Sequence, residues 1–242
     1  MIEFRIRATK AEYRLLEEFV AALRTPCETW MNPDSALSQV DFESEFRSKL
    51  LTHHCFMKSP LFQQSFDSAF VSACSHAGLD VTPAPPGQRF WDVTLEGKRV
   101  SLKTSQAKSL RKDTLHISKL TEAAWIQDCR TATKRRQYTF DLFKEYCKEV
   151  DSIIQLRYFR STQMYELVDI PVSLFYQVLK VSVSHFAADG PTINIPVGKD
   201  PADFTLKLDR SDAKITIANI NKELCLVHGT WQVGVSTDER EK

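Results

Sequence analysis

The stretch Trp91-Asp92-Val93-Thr94-Leu95-Glu96-Gly97-Lys98-Arg99-Val100-Ser101-Leu102-Lys103 constrains this chain more than any other. Two runs that alternate apolar and polar residues flank Gly97-Lys98, the pattern of a β-hairpin closed by a short turn. With Glu96 paired to Arg99, Leu95 falls opposite Val100 and Val93 opposite Leu102, so one hairpin face is wholly apolar and must be covered. On the other face Thr94 meets Ser101 and Asp92 meets Lys103. A carboxylate and an ammonium fixed on neighbouring rigid strands are close enough to share one phosphate. Metal-assisted phosphodiester hydrolysis needs such a pair: an acid to hold Mg²⁺ and a cation beside the attacking water. The plainer reading is a cross-strand ion pair on a solvated face, and taken alone the hairpin favours it.

The 242 residues suffice for one large domain with a real core, and 43% hydrophobic with 26% charged content is ordinary for a globular chain. We expect a single domain over 1–242, with a helical part at 1–80, the hairpin at 90–104 and C-terminal strands at 181–235. A net charge of +1 gives no global signal for nucleic acid, so any such site must come from local patches. No stretch approaches the ~20 apolar residues of a membrane span. Met1-Ile2-Glu3-Phe4-Arg5 lacks the apolar core of a secretion signal, and the six cysteines have no CxxC spacing. These features predict reduced thiols and a cytoplasmic setting.

Tyr13, Leu16, Phe19, Val20 and Leu23 mark an amphipathic helix over 10–24, followed by a loop through Pro26 and Pro33. Asp34 or Ser35 could cap a helix carrying Leu37, Phe42, Phe46 and Leu50. Phe62, Phe66, Ala69, Phe70, Ala73 and Ala77 stripe a further helix that Gly78 ends. Thr82 to Gly87 is a stiff connector into the hairpin. Beyond a basic stretch to Lys112 come a short run, Leu115-His116-Ile117, and a helix expected from Ser118 that includes Glu122. A helix over 139–150 precedes Ser152–Phe159, too apolar for anything but an inner strand. Tyr165–Ile170 is another strand, 172–180 a short helix, and Phe204–Leu208, Ile215–Ile220 and Cys225–Val233 a meander of strands. The class is α/β, more closely α+β: a central mixed sheet flanked by helices.

A helix pair, two antiparallel strands bearing Asp…x-x-Lys, then a helix and an inner strand resemble the core of the PD-(D/E)xK nucleases. Within that superfamily the chain resembles the SmaI-like Type II restriction endonucleases. The likeness lies in Leu51-Thr52-His53-His54, Leu102-Lys103-Thr104, His116-Ile117-Ser118-Lys119, Leu156-Arg157-Tyr158-Phe159, Leu167-Val168-Asp169-Ile170-Pro171 and Cys225-Leu226-Val227-His228-Gly229-Thr230-Trp231. The resemblance implies a restriction-endonuclease-like core with Asp92 and Lys103 as catalytic residues and Mg²⁺ as cofactor. It implies double-stranded DNA as substrate, a homodimer, and a short palindromic site, GC-rich with CCCGGG as candidate, cut to leave 5′-phosphate ends. Ser101 departs from the pattern, because the second acid is expected there and a hydroxyl cannot supply its charge. By the same resemblance the metal would be held by Asp92, the Leu102 carbonyl and an acid from elsewhere. Glu122, also a catalytic candidate, is the natural choice, and Asp41, with Glu45 four residues on, is the alternative from an earlier helix.

Each candidate has a plainer reading. Glu122 and Asp41 could be solvated helix acids, and Ser101 could fill space or bind a water. His53 and His54, adjacent on a helix, point about 100° apart and cannot share an ion. His116 and His228 read as structural. Arg157, inside an apolar strand, must be paired with an acid or with a phosphate. Lys108, Arg111, Lys112 and Arg157 are the DNA-binding candidates, since the first three follow the catalytic strand. Arg130, Lys134, Arg135 and Arg136 form a second basic patch that solvated helix ends explain equally well. The rival functions are a structure-specific repair or recombination nuclease of the same fold and a DNA-binding protein that has lost its metal site.

Overall fold

In the computed structural model, which describes residues 9–234, the chain begins with α1 (Lys10–Leu23), β1 (Cys27–Met31), α2 (Val40–Phe56), α3 (Gln63–His76), β2 (Val81–Pro83), β3 (Val93–Leu95) and β4 (Lys98–Ser105). It continues through β5 (Thr114–Glu122), α4 (Trp125–Asp128), α5 (Ala132–Glu149), β6 (Ser152–Phe159) and β7 (Met164–Pro171). After 3-10 turns at Val172–Lys180 and Val183–Phe186 come β8 (Thr192–Val197), β9 (Phe204–Asp209), β10 (Lys214–Asn221) and β11 (Leu226–Val233). The Met1–Arg5 run and the outer ends of the expected 1–242 unit lie outside the described residues.

A seven-stranded sheet, ordered β1-β11-β7-β6-β4-β3-β2, is the middle layer. Its β4–β6 pair is parallel and its other pairs antiparallel, so the sheet is mixed as expected. On one face α2 and α3 bury Phe42, Phe46, Leu50, Phe66 and Phe70 against Val93, Val100, Leu102, Leu156 and Trp231. On the other, α5 and a four-stranded antiparallel sheet, β5-β10-β9-β8, pack Phe143, Tyr146, Leu206, Ile215 and Ile217 over Ile153, Val168 and Ile170. Covered on both faces, β6 is buried at every position, the inner strand that its composition predicts. Among the described residues no helix is long and apolar enough to cross a membrane. All six cysteines are free thiols.

Several elements differ from expectation. The loop through Pro26 and Pro33 contains the edge strand β1. The helix expected at Ser118 is instead the second half of β5, because Thr121 and Glu122 pair with Ile215 and Lys214 of β10. β8 escapes sequence reading because Pro196 interrupts it, which an edge strand tolerates. The last strands are not one meander: β9 and β10 pair with each other, whereas β11 crosses to the large sheet between β1 and β7.

The hairpin turn is Glu96-Gly97, both at positive φ (48° and 74°), and it pairs Leu95 with Lys98, Thr94 with Arg99 and Val93 with Val100. This is the two-residue turn whose twist suits a hairpin. Glu96 accepts this backbone because Asp80 grips it at both ends. Its N–H donates to the Asp80 carbonyl at 2.8 Å, and its carboxylate accepts from the Asp80 N–H at 2.6 Å. The register is therefore displaced by two residues, setting Ser101 rather than Lys103 across from Asp92. An even displacement keeps every side chain on its expected face.

Candidate active site

Asp92 stands at the entry to β3, its N–H donating to the Val100 carbonyl at 2.9 Å. Its Oδ2 accepts from the Leu102 N–H at 2.6 Å and the Ser101 hydroxyl at 3.2 Å. The Lys103 ammonium lies 3.6 Å from the same oxygen. That ammonium also donates to Ser101 Oγ at 2.7 Å and to the Leu102 carbonyl at 3.0 Å. Ser101 is fully buried and serves as a crosspiece between the acid and the base. The Asp92 and Lys103 side chains stay 40% and 23% exposed, open enough to meet a ligand.

The α3 helix brings a further acid that sequence reading missed. Gln63, in its first turn, donates through Nε2 to the Leu102 carbonyl at 2.9 Å and to Asp67 Oδ1 at 2.7 Å. The Asp67 carboxyl is pushed up to about 6, first by burial and then by the negative charge of Asp92. Two carboxylates that repel one another beside a backbone carbonyl form a donor set short of one cation. Among the described residues no three metal-ligating side chains cluster. Mg²⁺ does not need three, since it takes one or two carboxylates and completes its shell with waters and substrate phosphates. Asp92, Asp67 and the Leu102 carbonyl fit it. The signal available in the sequence was Gln63 and Asp67 at i, i+4 on the polar side of the striped helix.

Asp92 lines two openings. A groove of about 630 Å³ runs between α3 and the Pro83–Gly87 connector, with Asp67, Trp91 and Asp92 in its wall. A cleft of about 290 Å³ between β4 and β5 is lined by Gln63, Asp92, Leu102, Lys103, Ser118 and Gln155.

The structure does not bring the other expected acids here. Glu122 ends a strand rather than lying on a helix. Its side chain is 79% exposed and paired with Lys119 at 2.7 Å, a hydrogen bond and charge that hold its carboxyl below the usual range. Asp41 is exposed in the first turn of α2. That turn packs at the β1–β11 side of the sheet, where Trp231 donates to the Glu43 carbonyl and Thr29 bonds the Glu43 carboxylate. Glu45 faces His76 at 3.0 Å and Lys49 at 3.7 Å.

Of the basic candidates, Lys108, Arg111 and Lys112 are exposed on the loop between β4 and β5. Arg157 needs correction as a DNA contact. It is 1% exposed, held by Glu166 at 2.5 Å and by the carbonyls of Thr114 and Arg111, so it fastens the basic loop instead of reaching past it. In the second patch Arg135 is buried against the Cys129, Phe186 and Ala188 carbonyls, and Arg136 lies over Phe140, whereas Arg130 and Lys134 are exposed. His53 and His54 have separate partners, the Ser59 carbonyl and the Tyr165 hydroxyl. His228 is buried against Ser35, and burial lowers its pKa.

The SmaI family, described as Type II site-specific deoxyribonuclease, matches residues 9–233. A relative from Serratia marcescens, the Type II restriction enzyme SmaI, is 27% identical, the match covering 84% of each chain. Among solved structures, a restriction endonuclease in complex with substrate DNA covers 96% of this chain and 88% of that chain, at 14% identity and a TM-score of 0.35. That last likeness is too loose to carry weight.

Proposed function

Because this chain belongs to the SmaI family of Type II site-specific deoxyribonucleases, we propose that it cuts both strands of a short palindromic DNA site in a Mg²⁺-dependent hydrolysis centred on Asp92 and Lys103. The observation that carries this reading is their meeting at 3.6 Å beside Asp67, a carboxyl that burial and then the charge of Asp92 keep from ionising at its ordinary pH. Asp92, Asp67 and the Leu102 carbonyl would hold the metal. When bound, Mg²⁺ supplies a Lewis acid for the scissile phosphate and lowers the pKa of a coordinated water.

The protein's own residues do the rest. The Leu102 N–H and the Ser101 hydroxyl fix the orientation of the Asp92 carboxylate. Gln63 ties the Leu102 carbonyl to Asp67, so strand and helix present their oxygens together. Lys103 orients the attacking water and stabilises the charge that develops on the phosphate oxygens. As the water oxygen joins phosphorus, the bond to the 3′ oxygen breaks, leaving a 5′-phosphate and a 3′-hydroxyl. Lys108, Arg111 and Lys112 grip backbone phosphates and set the register.

One such site reaches one strand, so each chain acts as a single domain in a homodimer whose two-fold axis matches that of the palindrome. The small net charge suits selective binding in the cytoplasm, because a strongly basic protein would be held non-specifically on DNA. We propose a GC-rich site, with CCCGGG first among candidates, on the likeness to SmaI. Digestion of plasmids with and without Mg²⁺, with the ends mapped, tests the reading. Discrete fragments sharing one palindrome are expected. Smeared or structure-dependent cutting would move a repair nuclease to first place, and binding without cutting would indicate a DNA-binding protein with a dead site.

A further inference from the structure

Gln155 lies beside Lys103 across the parallel β4–β6 pair and is 1% exposed. Its Nε2 donates to the His116 carbonyl at 2.9 Å. That bond fixes the sense of the amide, because turning it over would set two carbonyl oxygens against each other. Its Oε1 is thereby left buried without a hydrogen-bond partner, on a side chain that lines the cleft shared by Asp92, Lys103 and Ser118. A buried amide oxygen with no donor is costly, and beside an open cleft it is placed to receive one.

Lys103, its register neighbour on β4, is a donor that lines the same cleft. Its ammonium is folded onto Ser101 Oγ and the Leu102 carbonyl, 3.6 Å from Asp92, so it sits on two of the oxygens, those of Leu102 and Asp92, that the cation would take. An ammonium and a divalent ion cannot share those oxygens without strong repulsion. We propose that Gln155 Oε1 receives the Lys103 ammonium when the cation binds, making Gln155 a positioning residue that turns Lys103 from a stand-in for the metal into the group that orients the attacking water. This inference rests on the site reading above and adds to it where the lysine goes. The amide needs no change of its own, because the His116 carbonyl already aims it.

The test is a double-mutant cycle on Mn²⁺ affinity in the full chain without DNA, with cleavage measured alongside. Gln155→Met should weaken Mn²⁺ binding about tenfold, the worth of a lost charge-assisted hydrogen bond, and should do nothing once Lys103→Ala has removed the competing ammonium. It should lower kcat by about tenfold or more while leaving KM for DNA unchanged. Should Gln155→Met fail to fold, Gln155→Asn withdraws the acceptor by one methylene and is read through the same cycle. Equal loss of Mn²⁺ affinity in both backgrounds, or no loss in either, overturns the proposal. Asp92→Ala separates the two failures. If it abolishes Mn²⁺ binding while the Gln155 variants behave as wild type, only the role of Gln155 falls, whereas if it binds Mn²⁺ normally the metal site itself is wrong.

Discussion

Two ion pairs on the same large sheet have opposite fates. At the β6–β7 pair, Arg157 and Glu166 face each other in register at 2.5 Å, 1% and 6% exposed. Lys222 bonds the second Glu166 oxygen, and two carbonyls accept from Arg157 Nη2, while its Nε is buried without a hydrogen-bond partner. At the β3–β4 end, Lys103 stands 3.6 Å from Asp92 with both side chains partly open, and a second acid, Asp67, lies near without a cation of its own. One set of charges is closed off from solvent and paired within the protein, and the other is short of positive charge and reachable. A charge in an apolar strand says only that a partner must exist. Exposure tells whether the partner comes from the protein or from a ligand.

The comparison breaks first at Lys103. Lys103→Ala should lower cleavage roughly a thousandfold or more, several kcal/mol of transition-state stabilisation, while thermal unfolding stays within a few degrees of wild type. Arg157→Met is its mirror image. Removing one member of a buried pair should cost about 3–5 kcal/mol of stability by denaturant unfolding, while the rate per folded molecule in single-turnover cleavage stays close to wild type. If Arg157→Met lost cleavage with stability intact, the closed pair would belong to the chemistry after all.

Asp67→Asn sharpens the open side. The folded pKa of about 6 lies above the ordinary 3.8, so the folded protein holds this proton more tightly than the unfolded chain does. The favourable contribution is complete below pH 4 and is lost as pH rises through about 6. Asp67→Asn should therefore raise the thermal midpoint of the metal-free protein at pH 8 by roughly 2–4 °C and leave it unchanged near pH 4. The same variant should bind Mn²⁺ at least about tenfold more weakly. A midpoint shift of the same size at both pH values would remove the charge explanation. The smallest effect is expected at Glu122, whose exposed pair with Lys119 is screened by solvent. Glu122→Gln should match wild type in melting and in a Mg²⁺ titration of cleavage, and a weakened metal response would return Glu122 to the site.

The sequence makes the faces of the hairpin readable, since alternation survives any even slip in register. The register itself is not readable, because Asp80 decides that Glu96 enters the turn, and their contact spans 16 residues. Asp67 is hidden for the same reason: on its own helix it is one more polar position, and only the folded sheet sets Asp92 beside it. Glu122 misleads because its strand is defined by β10, far along the chain. The partner of Arg157, in contrast, was within reach of hairpin arithmetic, since β6 and β7 are joined by a short turn that sets Glu166 opposite.

The central claim is that the open pair on the β3–β4 hairpin performs the chemistry, and Asp92→Ala tests it most directly. Purified variant and wild type are compared on plasmid DNA in Mg²⁺ and, separately, for specific DNA binding in Ca²⁺. The account predicts no linear product from Asp92→Ala, with Ca²⁺-supported binding retained. Cleavage by Asp92→Ala at the wild-type rate would contradict it.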